Sequence, residues 1–377
     1  MDPLAHTLFG ATLAEAGLKK KTALAAGTLI IGANLPDIDA ITMLWGNDYA
    51  LYFRRGWTHG ILSLFLMPFF LTGAMLLFDR LSARWFRRTI SYSENPRPPL
   101  KPGILLGLSF IAVWSHPFLD WLNVYGVRLL MPFSDTWFYG DSLFIIDPWL
   151  WLLMAAAVVL ANSNTIWSAS GWIIIGTATT ALVIGTAVVP VVVKVLWVLA
   201  VIIIILLRLG GWVRRKTQTL ALGCLFVFTI YLALMFIGST MTSVHVKDAL
   251  VADNIYVDDV MPEPLPARIW IRGGVAVSDT HYYLFRINWL DPDSFELRYD
   301  PVPKTEPGRI VMAALESEQV RGLRNWMRFP HYEIHAVENG WQVIIRDLRF
   351  VSPDQPVEEG FGMAVVNLDS QLNVLLD

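Results

Sequence analysis

The chain reads as a polytopic α-helical membrane protein with a carboxy-terminal α+β extramembrane domain, and three observations predict it. Of its 377 residues 55% are hydrophobic and only 16% charged, where soluble domains carry about 25% charged residues. Apolar windows of the length needed for a ~30 Å hydrocarbon core recur up to about residue 241. Beyond residue 242 Pro, Asp, Glu and Arg become frequent and the apolar runs shrink to strand length. The expected division is therefore a membrane domain over 1–241 and a soluble α+β domain over 242–377.

Residues 2–17 are too few for a comfortable span and predict a short or re-entrant leading helix. About seven spans follow, near 22–44, 58–79, 102–122, 145–161, 170–190, 191–209 and 218–241. The nearly continuous 170–209 run, broken around Pro190 and Lys194, predicts a tight helical hairpin. Three basic clusters lie between spans: Lys19 to Lys21; Arg80, Arg84, Arg87, Arg88, Arg97 and Lys101; and Arg208, Arg214, Arg215 and Lys216. With these spans all three fall on one side, which the positive-inside rule makes cytoplasmic. In the carboxy-terminal part, Arg268–Val277, His281–Trp289, Tyr332–Val337, Trp341–Asp347 and Met363–Leu368 read as strands. Ala313–Met327 reads as one amphipathic helix, and the domain is expected on the outer side.

Other features bound the function. The lone cysteine, Cys224, excludes a disulfide framework and a cysteine-based metal site. Met1-Asp2-Pro3 opens without a basic region, so no cleavable leader is expected. The sixteen tryptophans are expected mostly in interfacial belts, and no nucleic-acid partner is expected.

Chemistry concentrates in the first four spans. His116 and Asp120, four residues apart, share one helix face about 5–6 Å apart at Cβ and can hold one metal ion together. Ionisable groups inside a membrane segment cost several kcal/mol and tend to be kept for use. His6, Asp37, Asp39 and His59 are further ligand candidates, with Asp39, Arg55 and Asp147 as candidate catalytic groups. In the expected topology each falls at or near the outer face, although topology rests on Lys and Arg alone. Imidazole and carboxylate donors together suit zinc, manganese or iron, and three histidines with up to four aspartates could hold one to three ions.

Blander roles stand beside these. His116 and Asp120 could be a structural hydrogen-bonded pair. Asp37 and Asp39 follow the helix breaker Pro36 and could cap the next helix, as Asp147 before Pro148 could cap its own. His59 follows a plausible cap, Thr58, and could be interfacial. Arg55 could be an interfacial anchor or could grip an anionic oxygen. His245, His281, His331 and His335 lie in the soluble part, where surface or strand positions are the ordinary outcome.

An ordered series runs through residues 1–160: Asp2-Pro3 with His6-Thr7, Leu35-Pro36-Asp37-Ile38-Asp39, Arg55-Gly56-Trp57-Thr58-His59, His116-Pro117-Phe118-Leu119-Asp120 with Asn123, Tyr125 and Gly126, and Pro132-Phe133-Ser134. With this series the chain resembles the membrane-bound metal-dependent hydrolases typified by YdjM (DUF457). The ligand order is similar, more loosely, to zinc-dependent phospholipase C and the S1/P1 nucleases. The resemblance implies a multi-pass protein of the bacterial inner membrane, a zinc site and phosphoester hydrolysis; the span count then makes the carboxy-terminal domain periplasmic.

The expected function is a metal-dependent hydrolase with an outer-leaflet site, acting on a membrane lipid or lipid-linked phosphoester. His6, Asp37, Asp39, His59, His116 and Asp120 would hold the metal, Asp39 or Asp147 would act as general base, and Arg55 would neutralise developing charge. One rival is a cation transporter or channel, which clustering at one face rather than the midplane disfavours. The other is a membrane sensor with a closed structural metal site. Whether the outer domain covers the site or binds a protein partner is not decided by its sequence.

Overall fold

The computed structural model describes residues 1–86, 98–211, 216–357 and 361–375. The chain divides into two compact units. The first contains Met1–Ile38, Arg55–Phe236 and Pro266–Arg268; the second contains Asp39–Arg54, Ile237–Leu265 and Ile269–Asp377.

In the first unit the leading helix α1 (Pro3–Glu15) is capped by Asp2, whose side chain accepts from Ala5 N, with Pro3 pre-set for the first turn. Helix α2 (Ala25–Gly32) packs between α1 and α5 (Pro102–Trp121). A Cβ at Gly32 would stand 2.6 Å from that of Ala112, so the crossing of α2 and α5 depends on that small residue. Helix α4 (Ile61–Phe86) flanks α5. Then follow α6 (Pro148–Asn162), the α7 (Ile166–Gly185) and α8 (Val191–Leu209) hairpin, and α9 (Thr217–Ala252). Only Val183 of α7 and Val193 and Trp197 of α8 are buried, as suits helices that face lipid.

Among the described residues five helices, α4, α5, α7, α8 and α9, are long and apolar enough to cross a membrane. Two of the expected seven spans are not among these five. The 22–44 window does not form one helix: α2 ends at Gly32, and Leu35–Trp45 continues as a 3-10 helix after Pro36 and beside two aspartates. Helix α6 has 15 residues, about 22 Å at 1.5 Å per residue, and is apolar but shorter than the five.

The ends that carry basic residues meet in this unit. Lys20 Nζ donates to Gln218 at the start of α9 (2.8 Å), and Lys101 N donates to Thr22 (2.8 Å). Glu15 accepts from Asn162 (2.9 Å), and Arg208 binds Ser163. His6 and His116 lie at the opposite ends of their helices from these contacts. Arg87, Arg88, Arg97, Arg214 and Arg215 of the expected basic clusters lie outside the described residues.

The second unit holds two antiparallel sheets. One has the order β1 (Asp259–Leu265), β2 (Arg268–Val277), β3 (His281–Asn288), β4 (Asp291–Leu297), with β5 (Val302–Pro303) also paired to β3. Val246 and Leu250 of α9 pack with Val260, Ala276, Tyr283 and Phe285 of this sheet. The other runs β6 (Pro330–Val337), β7 (Gly340–Asp347), β8 (Met363–Asp369) and buries Val343, Ile344 and Ile345. The expected helix over 313–327 is two short ones, α10 (Arg309–Leu315) and α11 (Arg321–Trp326). Ser317 breaks them apart with extended backbone, its hydroxyl accepting from Gln319 N. The same unit contains the Asp39–Arg54 segment and its helix α3 (Asn47–Phe53).

Candidate metal centre

Four side chains converge in the first unit. One ligand atom from each of Asp37, His59, His116 and Asp120 lies within 4.8 Å of the others. Asp37 enters just past Pro36, at the start of the 3-10 helix. His59 precedes α4, in a turn where its backbone N–H donates to Gly56 O (3.0 Å). His116 and Asp120 come from the last turns of α5 and are both fully buried.

The histidines are oriented by their second nitrogens. His116 Nδ1 lies 2.6 Å from the carbonyl of Ala33, so it carries the proton and Nε2 presents its lone pair to the cluster. That Nε2 stands 3.5 Å from Asp120 Oδ2 and 3.6 Å from Asp37 Oδ1 and has no hydrogen-bond partner. His59 Nδ1 meets Thr58 Oγ1 at 2.9 Å, and its Nε2 lies 3.2 Å from Asp120 Oδ2. Donors around a tetrahedral ion at about 2.1 Å stand roughly 3.4 Å apart. The three measured separations match that spacing, so the residues fit a divalent ion. A buried imidazole lone pair aimed at two carboxylates is otherwise costly to leave unmet.

His6 joins from α1. Its ring stacks on that of His116, with centroids 3.7 Å apart and planes at 16°, and its Nε2 lies 3.2 Å from Asp120 Oδ1. Arg55 grips Asp120 with two prongs, Nε to Oδ2 at 3.0 Å and Nη2 to Oδ1 at 3.1 Å. Its Nη1 donates to Asn123 Oδ1 (3.0 Å) and to Gly126 O (3.2 Å), and the guanidinium lies 4.3 Å over the Tyr125 ring. The Met1 ammonium also contacts Asp120 Oδ1. Asn123, Tyr125 and Gly126 belong to the ordered series in the sequence, which gave no sign that they hold Arg55. The Ala33 carbonyl, being backbone, left no signal.

Two expected site residues stand elsewhere. Asp39 belongs to the second unit and pairs with Arg54 at 3.7 Å. Asp147 caps α6, accepting from Leu150 N (2.9 Å) and from the Tyr231 hydroxyl (2.6 Å). Neither belongs to the four-residue cluster.

Comparison with known proteins adds a family. A model of the YdjM inner membrane protein family matches residues 1–193. The chain belongs to the YdjM family. The match covers every residue of the cluster and of its Arg55 surround, as well as α1, α2, α4 and α5. The uncharacterized protein YfhP of Bacillus subtilis (strain 168) is 26% identical over 143 residues, 38% of this chain and 36% of that relative. The chain thus spans about a third of that relative's length. No solved structure matches. Its family and its apolar helices make this YdjM-family chain a multi-pass protein of the inner membrane.

Proposed function

We propose that this YdjM-family protein is a metal-dependent hydrolase that acts on a membrane lipid or lipid-linked phosphoester. The observation that carries the reading is the convergence of Asp37, His59, His116 and Asp120 on one ion-sized space, with a guanidinium beside it. A divalent ion, zinc by its donor set, supplies Lewis acidity and lowers the pKa of a bound water to about 7.

The chain's own residues do the rest. His59 and His116 hold neutral ring nitrogens toward the ion, each fixed by its Nδ1 contact. Arg55 orients Asp120 and keeps positive charge beside the centre, where it can neutralise a phosphoryl oxygen. Asp37, with 11% of its side chain exposed against none for His59 and His116, marks the side from which substrate enters.

The positive-inside rule puts the end with Lys19, Lys20, Lys21 and Lys101 in the cytoplasm. The metal centre then faces the outer leaflet at headgroup level, and with the short apolar α6 also running from that side to the basic ends, six crossings leave the carboxy-terminal domain periplasmic. An amphiphilic substrate reaches such a site without leaving the bilayer.

The test begins with elemental analysis of the purified full-length protein beside His116→Ala and Asp120→Ala. Stoichiometric zinc in wild type and its loss in both variants is the expected result. A panel of lipid phosphoesters, with and without chelator, then reads turnover. Wild type without any transition metal would sink the proposal.

A further inference from the structure

The segment between the ligands Asp37 and His59 is held by the carboxy-terminal domain. Its first half, Leu35–Trp45, is a 3-10 helix of eleven residues, far longer than the three or four such a helix usually sustains. Ile38, Ile41 and Leu44 fall on one eclipsed row of it and are 60%, 56% and 81% exposed. With so little burial of its own, this stretch needs an external hold.

That hold lies in the second half. Asp48 of α3 accepts from Gly322 N (2.7 Å) and Leu323 N (2.9 Å), two backbone donors in the first turn of α11. Tyr52 OH accepts from Arg321 Nη2 (2.9 Å), whose guanidinium lies 4.2 Å over the Tyr52 ring. A Cβ on Gly322 would come within 1.8 Å of the Asp48 carbonyl oxygen, so only glycine permits the approach. Helices α3 and α11 are therefore docked by charge-assisted hydrogen bonds, a stacked cation and direct backbone contact.

The ends of the docked segment are covalently tied to the metal centre. Ile38 follows Asp37 directly, and Arg54 precedes Arg55, the residue that grips Asp120. We propose that α11 is a positioning element for the metal centre: by seizing Asp48 and Tyr52 it fixes the segment and thereby the placement of Asp37 and His59. This rests on the metal-centre reading and gives the carboxy-terminal domain a task inside its own chain.

The experiment uses the full-length protein in detergent, with zinc affinity measured by chelator competition and hydrogen exchange measured over residues 35–60. Asp48→Ala and Gly322→Ala are each expected to weaken zinc about tenfold, the lower range for residues that orient ligands. Asp48→Asn, which keeps an acceptor oxygen, is expected to stay within about twofold of wild type. Exchange in the alanine variant should rise both in 39–54 and in 55–60. Zinc affinity unchanged in a folded Asp48→Ala protein, or faster exchange confined to 39–54, overturns the proposal. Should Gly322→Ala fail to fold, Asp48→Ala decides. Should wild type bind no zinc, the metal reading fails alone, and hydrogen exchange still decides whether α11 holds the segment.

Discussion

Arg55 holds both oxygens of Asp120 with one edge of its guanidinium, at 3.0 and 3.1 Å, with each side chain at most 2% exposed. A planar fork on a planar carboxylate fixes orientation as well as charge. The aspartate therefore arrives at the centre already aimed, with lone pairs left over for an ion.

Removing the fork should separate its structural and electrostatic roles. Arg55→Gln leaves Asp120 without its guanidinium, and losing one partner of a buried pair costs about 3–5 kcal/mol. Metal-free Arg55→Gln should melt well below wild type, and saturating zinc should recover much of the difference by replacing the lost positive charge. Melting curves with and without zinc check this. A variant as stable as wild type without metal would show that the pair is not a structural hold.

The two neighbouring aspartates should behave differently. Asp37 stands 3.6 Å from His116 Nε2, whereas Asp39 pairs with Arg54. Asp37→Asn is expected to lose stoichiometric zinc. Asp39→Asn is expected to keep it, with affinity within about tenfold of wild type, the smaller cost of a group that does not touch the ion. Titration of both purified variants with zinc decides, and equal loss in the two would place Asp39 among the ligands.

His6 offers a sharper separation, since its stacking and its nitrogen can be tested apart. His6→Phe keeps a ring against His116 while deleting the Nε2 contact to Asp120. If Asp37, His59, His116 and Asp120 suffice, zinc stoichiometry should survive while affinity falls. Elemental analysis after dialysis reads the outcome. Complete loss of metal would make His6 a ligand in its own right.

The carboxy-terminal domain carries a pH dependence of its own. Burial pushes the His331 imidazole below its ordinary value of 6.5, Glu333 pulling weakly the other way. The unfolded chain then takes up the proton first as pH falls. The contribution of His331 is full above about pH 6.5 and shrinks as pH drops through its lowered folded value. Thermal unfolding of the full chain between pH 7.5 and 5 should show that loss, and His331→Gln should flatten it. An unchanged slope in the variant would assign the pH dependence to other groups.

Much of the centre was legible because polar groups in apolar windows are expensive. His59, His116, Asp37 and Asp120 stood out for that reason, and they are the four the fold gathers. Asp39 carried the same signal but sits two positions from Asp37 on a 3-10 helix, which turns about 120° per residue. Its side chain therefore points away from that of Asp37. Asp147 carried two signals at once, and its bonds to Leu150 and Tyr231 are those of a cap. Average hydropathy over 22–44 hid the break between Gly32 and Pro36, where α2 stops.

In the carboxy-terminal domain β2, β3, β6, β7 and β8 were readable from alternation. Strand β1 was not, because Pro262 and Pro264 lie inside it. It lies at one end of its sheet, where a missing N–H costs no ladder bond. Strand β4 hid behind Asp291, Pro292 and Asp293 for a similar reason.

The docking of α3 on α11 has a consequence for biosynthesis. Every ligand is encoded before residue 121, whereas α11 begins at Arg321. At ordinary translation rates those roughly two hundred residues occupy about 10–40 s. Throughout that interval a nascent chain already holds the candidate ligand set but lacks its proposed fastener. If an ion enters while the 39–54 segment is still loose, completion of the carboxy-terminal domain would latch a centre already filled.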